Sequence, residues 1–212
     1  WHDRAAAVLA GKDLNQSLLA LDLQEITLRS KTQESPAYVK EVESTTSMAA
    51  QADLIGTLAR LEQWPPGPAR QAAMEKAGSI AAGQSTPKAL AWAQQIPDPS
   101  ASADAIRGVV GVWAEYEPMA ASEWLPSLTP GPVREAAVDR FSEKIAELDP
   151  SASLSWAATL TDPAARASRL TASFQKWSAN DPAGAAAALA EVPGLSPADR
   201  QILLATLPAA SK

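Results

Sequence analysis

The 212-residue chain contains no cysteine, one histidine, two phenylalanines and two tyrosines. Without cysteine there is no disulfide framework, no thiolate nucleophile and no thiolate metal ligand. The compartment stays open on this ground, because exported proteins without cysteine are common. The single histidine, His2, stands at the extreme N-terminus, where positioned acid–base catalysts are seldom built. No basic stripe interrupts a net charge of −6 that is spread over both halves. That balance excludes nucleic acid and anionic membrane surfaces as expected partners. No apolar run approaches the roughly 18 residues of a membrane helix; the longest candidate, Ala183 to Val192, is mostly alanine and carries Glu191. Valine and isoleucine are sparse and no segment alternates with period two, so sheet is not expected.

What the chain has in quantity is alanine, within a hydrophobic content of 46%, and an internal period. In steps of 32, Trp64, Ile96, Leu128, Leu160 and Val192 fall in register, each followed by a Pro/Gly/Asp cluster. A second column runs through Val42, Met74, Ile106, Val138, Leu170 and Ile202, and a third through Trp92, Trp124 and Trp156. A repeat of this length is one supersecondary unit that must stack on neighbours to bury its apolar face. The expected fold class is therefore all-α, an α–α superhelix (solenoid) of helix-turn-helix repeats with a 32-residue period and about eleven or twelve helices.

Within each unit, Thr86-Pro87, Glu117-Pro118, Asp149-Pro150 and Asp181-Pro182 read as helix starts, with an acid or hydroxyl at the N-cap and proline at the first helical position. The short Ala-rich helix that follows ends at the first column. A breaker such as Pro97-Asp98-Pro99 or Thr129-Pro130-Gly131-Pro132 then leads to a longer helix. Its apolar residues Ile106, Val109, Val110 and Trp113 fall at i, i+3, i+4 and i+7, a buried stripe. Upstream, residues 54–64 and 69–82 form another pair, while residues 36–52 pair with a helix over 14–29. Residues 1–53 are expected to be capping helices with a first irregular repeat, 54–207 the regular repeats and 208–212 a tail, all one continuous solenoid domain.

Trp156 follows Pro150 of Glu147-Leu148-Asp149-Pro150 by six residues, as in a tetratricopeptide unit, although that unit is about 34 residues long and the turn here holds proline. The units Trp113-Ala114…Glu117-Pro118…Ala120-Ala121…Trp124 and Trp177…Asp181-Pro182 resemble more closely a group of bacterial Trp-Ala/Asp-Pro helical repeat proteins of tetratricopeptide-like type, largely uncharacterised. The resemblance covers residues 54–207. It implies an α-solenoid and no activity to carry over.

Candidate sites are few. Glu143 and Glu147 sit at i, i+4, but without a third ligand they read as a solvated face, and no metal or cofactor is assigned. Gly108 and Gly111 follow no strand and match no phosphate loop; they read as points of close helix approach. Ser151, Ser153 and Ser155 face no base. Arg70, Arg134 and Arg166 recur one or two periods apart, with Ser102 at the corresponding place of the intervening unit. They are either charge-assisted ties to loop acids such as Glu117, Asp149 and Asp181, or a row that reads a partner's carboxylates. The seven tryptophans read as mostly core, or as an aromatic ladder for a peptide or carbohydrate. The function expected is a non-enzymatic scaffold binding a protein or peptide on one face. Two alternatives are an architectural spacer of a larger bacterial envelope or exported protein and an all-helical enzyme of toroidal type. The start at Trp1, without an initiator Met, reads as a fragment or processed form with a lean towards extracytoplasmic tethering by a preceding segment.

Overall fold

In the computed structural model, which describes residues 36–207, the chain is all-helical, with ten α-helices and no strand among the described residues. The expected helix over 14–29, the tail 208–212 and His2 lie outside the described residues. The helices are α1 (Pro36–Ala52), α2 (Leu54–Leu61), α3 (Pro68–Gln95), α4 (Pro99–Tyr116), α5 (Pro118–Trp124), α6 (Pro132–Ile145), α7 (Pro150–Ala157), α8 (Pro163–Asn180), α9 (Pro182–Ala188) and α10 (Pro197–Ala205). Turns of 3-10 helix, Leu125–Ser127 and Leu189–Glu191, extend α5 and α9.

Nine of these ten helices begin with proline, whose fixed φ suits the first turn and whose missing N–H leaves no helical bond unmade. Asp149, Asp162, Asp181 and Ser196, each before such a proline, supply caps, whereas Gly67 and Gly131 make no side-chain cap bond. Asp149 accepts from Ala152 N at 2.9 Å, Asp162 from Ala165 N at 2.7 Å and Asp181 from Gly184 N at 2.8 Å. Ser196 and Asp199 form a reciprocal capping box at the start of α10. Glu117, expected to cap in the same way, does not: its longer side chain turns back to accept from Trp113 Nε1 at 3.1 Å. Inside α3 the backbone leaves the helical region at Ser85 (φ −166°, ψ 105°), which separates residues 68–84 from a second helical stretch beginning at the expected Thr86-Pro87 start. Pro87 enforces the break, since its ring would collide with the Gly83 carbonyl of an unbroken helix.

The described residues fall into two compact units, 36–109 and 110–207. In the first, α1 packs on α2 and α3, and α2 on α3. Twelve of its nineteen buried apolar residues are alanine, so these helices meet at short range. α3 and α4 approach closely, so that a methyl group on Gly108 would strike the backbone of Glu75 and Ser79, and one on Gly78 the Ala105 carbonyl. Ser79 Oγ reaches the Gly108 carbonyl at 3.2 Å across that seam.

In the second unit α6, α7 and α8 pack mutually, and α8 also meets α9 and α10. Leu154, Leu170, Phe174, Leu189 and Leu203 form a buried cluster. Ser153 ties three helices together, donating to the Ser142 carbonyl at 2.8 Å and lying 2.9 Å from the Ser173 hydroxyl. All three serines are buried, and bonds of this kind satisfy hydroxyls that would otherwise be costly there.

Val42, Met74, Ile106, Val138 and Leu170 are all buried, as are Ile96, Leu160 and Val192. Ile202, the last residue expected in that first set, is 55% exposed, and Leu203 at 1% takes the core position. The reason is local: α10 starts 34 residues after α8, so its buried stripe is displaced along the chain. Leu203→Ala should therefore lower unfolding free energy by about 2–5 kcal/mol, as should Leu160→Ala, while Ile202→Ala should change it by less than about 0.5 kcal/mol; urea denaturation reads both. Gly108→Ala should destabilise through the Glu75 backbone, whereas Gly83→Ala, with open space around it, should stabilise by up to about 1 kcal/mol.

Candidate functional site

The three recurrent arginines occupy unlike surroundings. Arg70, 4% exposed, donates through Nη1 to Asp98 Oδ2 at 2.6 Å and lies 3.5 Å from the Trp64 carbonyl. Arg134, 18% exposed, donates to both the carbonyl and the hydroxyl of Thr159 at 3.1 Å, with Glu135 3.6 Å away. Arg166, 40% exposed, stands 3.7 Å from Asp199. Ser102, at the corresponding place on α4, donates to the Ala93 carbonyl at 2.7 Å. None of the arginines pairs with Glu117, Asp149 or Asp181. Two of those acids are spent on caps and the third on Trp113, so the partners are Asp98, Asp199 and loop carbonyls instead. The two acids at i, i+4 also separate: Glu143 takes Arg140 at 3.0 Å, and Glu147 takes Lys176 at 3.3 Å.

Around Arg70 the first unit gathers a charged cluster that sequence reading missed. The Arg70 guanidinium bonded to Asp98 holds that carboxyl below its usual range, with the Ser100 N–H assisting. Asp104, on the next turn of α4, is half-buried. Burial pushes its pKa from 3.8 up to about 6, with Glu75 and Asp98 adding to the rise and Arg70 and Arg107 opposing it. In the second unit Asp199 is lowered: burial opposes ionisation there, but the two bonds from Ser196 and the nearby Arg166 outweigh it.

A groove of about 610 Å³ lies between α2 and the two stretches of α3. Leu54, Ile55, Leu58, Ala59, Ala81, Ala89 and Trp92 supply its apolar lining, and Glu62, Gln84, Ser85 and Lys88 its polar lining. The break at Ser85 contributes to its wall, so the proline that interrupts α3 also shapes this hollow. Trp92 Nε1 is shielded from solvent and has no hydrogen-bond partner, an arrangement that costs stability. The six tryptophans among the described residues are partly buried instead of fully core. Trp113 stacks at a tilt on Trp124 with centroids 5.7 Å apart, and Trp156 meets Phe141 edge to face at 5.8 Å. Among the described residues no group of three or more metal-binding side chains comes together, and no helix is long and apolar enough to cross a membrane.

No protein-family model, curated protein or solved structure matches the chain.

Arg70→Ala should cost about 1–3 kcal/mol, as loss of a buried charge-assisted bond does, and Arg166→Ala under about 1 kcal/mol, as for an exposed pair; thermal unfolding ranks them. Asp104 has a folded pKa above its unfolded value, so its favourable contribution is complete below pH 3.8 and is lost as pH rises through about 6. Asp104→Asn should accordingly raise Tm near neutral pH, with the advantage fading on acidification.

Proposed function

We propose that the chain is a non-enzymatic helical-repeat scaffold, an α-solenoid, that binds a protein or peptide. Support for the repeat comes from the sequence columns together with two features spaced by 32 residues: the starts of α5, α7 and α9 at Pro118, Pro150 and Pro182, and an interhelical ion pair that recurs as Glu115–Lys144 and Glu147–Lys176. Repeat arrays build extended surfaces that suit macromolecular ligands better than a single deep pocket, and the likeness to Trp-Ala/Asp-Pro repeat proteins agrees with this.

The observation that carries binding is the groove between α2 and α3. Its apolar lining accepts one or two hydrophobic side chains, and Glu62, Gln84, Ser85 and Lys88 offer polar partners to the backbone that accompanies them. Ligand contact would thus remove apolar surface from water.

Selection of a displayed random-peptide library on the chain should return sequences with apolar anchors whose binding shifts Trp92 fluorescence. Ile55→Glu, an exposed position on the groove, should abolish capture without altering helicity, and Trp92→Phe should weaken it by up to about tenfold through lost aromatic contact. Peptides that bind the Ile55→Glu chain as well as the wild type would overturn the groove as the binding site.

A further inference from the structure

The second unit segregates its charge. Residues 110–207 hold twelve acidic and seven basic side chains, a formal charge of −5. All seven cations stand on the longer helices α6 and α8 and on α10; α5, α7, α9 and the turns that lead into them have none. Each cation is already engaged, whether with an acid, as Lys144 with Glu115 and Arg169 with Asp139 at 2.7 Å, or with carbonyls, as Arg200 with Leu189 and Val192. The acids of the turns are not neutralised in this way. Glu117, Asp149 and Asp181 are exposed and meet only N–H donors, which leaves their charge on the surface.

The same turns carry the unit's most exposed large apolar side chains. Tyr116 is 80% exposed, Met119 73% and Leu148 72%. The Glu115–Lys144 pair places the end of α4 beside the last turn of α6; Tyr116 directly follows Glu115, and Leu148 lies one turn past Lys144, so the two project from adjacent turns. Apolar side chains set among uncompensated carboxylates favour a partner that offers both hydrocarbon and positive charge. Nucleic acid and anionic lipid share the sign of this edge and are repelled by it. So is a second copy of the chain, whose net charge is −6.

We propose that this turn edge, Tyr116, Met119 and Leu148 among Glu117 and Asp149, docks an amphipathic segment rich in lysine or arginine on a partner protein. The proposal rests on the scaffold reading above and names the partner's chemistry at a second surface, distinct from the groove of the first unit.

The probe is a fluorescently labelled helical peptide of about 18 residues made of leucine and lysine in amphipathic register, with a leucine/glutamate peptide of the same pattern as control. Anisotropy titrations on the full chain should show binding of the lysine peptide alone, weakened about tenfold or more between about 0.05 M and about 0.5 M salt. The double variant Tyr116→Ser/Leu148→Ser, at exposed positions, should keep its helicity and Tm and bind about tenfold more weakly. Glu117→Gln should reduce the salt dependence. Wild-type affinity in the double variant would overturn the proposal, as would equal binding of the glutamate peptide or no binding at low salt. Loss of lysine-peptide binding in Ile55→Glu but not in the double variant would move the partner to the groove, overturning this surface while the scaffold reading stands. Self-association of the chain that the double variant abolishes would assign the edge to a second copy, and this too would overturn it.

Discussion

Proline at the first helical position is the constraint on which the rest of this structure depends. It decides where nine of the ten described helices begin, and in α3 it splits one helix into two at Ser85. Each start then fixes which side chains of the helix face inward. Several caps follow from the same arrangement, because an aspartate before proline is held out of the helical region and is free to turn its carboxylate onto the first N–H groups. Where that residue is aspartate the cap forms; glutamate at position 117 is one methylene too long and finds an indole. The groove beside Trp92 and the acidic turns of the second unit are both products of these interruptions.

Helix type and most of the buried positions were legible in the sequence, since apolar spacing reports burial wherever successive long helices start within one residue of the 32-residue step. Val42, Met74, Ile106, Val138 and Leu170 illustrate this. Ile202 shows the limit, because a two-residue delay in the start of α10 hands its place to Leu203, and a fixed step along the chain carries no record of such a delay. The recurrence of Arg70, Arg134 and Arg166 pointed to side chains with work to do, yet their acceptors were misjudged: which loop carbonyl or acid lies within reach is a matter of three-dimensional packing. Asp104 gave no local signal at all, its raised pKa arising from burial among Glu75, Asp98, Arg70 and Arg107 drawn from two helices and the loop between them. The charge segregation of residues 110–207 could have been read from the absence of lysine and arginine in alternate segments. What the sequence alone withheld was that every cation is occupied.

Polar groups inside this protein are used as joints. Ser153 links α6, α7 and α8 through the Ser142 carbonyl and the Ser173 hydroxyl, Ser102 ties α4 to the end of α3, and Arg134 holds Thr159 by both its carbonyl and its hydroxyl oxygen. Such bonds are directional, so they select one relative placement of the helices that they join. Specific geometry here comes from hydroxyls and guanidinium groups, with the apolar residues supplying proximity.

The alanine content of the first unit's interior has a thermal consequence. Twelve of its nineteen buried apolar residues present a single methyl group, so opening it exposes little hydrocarbon for each residue released. The heat-capacity increment that accompanies exposure scales with that hydrocarbon. A small increment flattens the curve of stability against temperature, spreading a modest maximum over a wide range and pushing cold denaturation to lower temperatures. A core of methyl groups therefore trades height of stability for breadth.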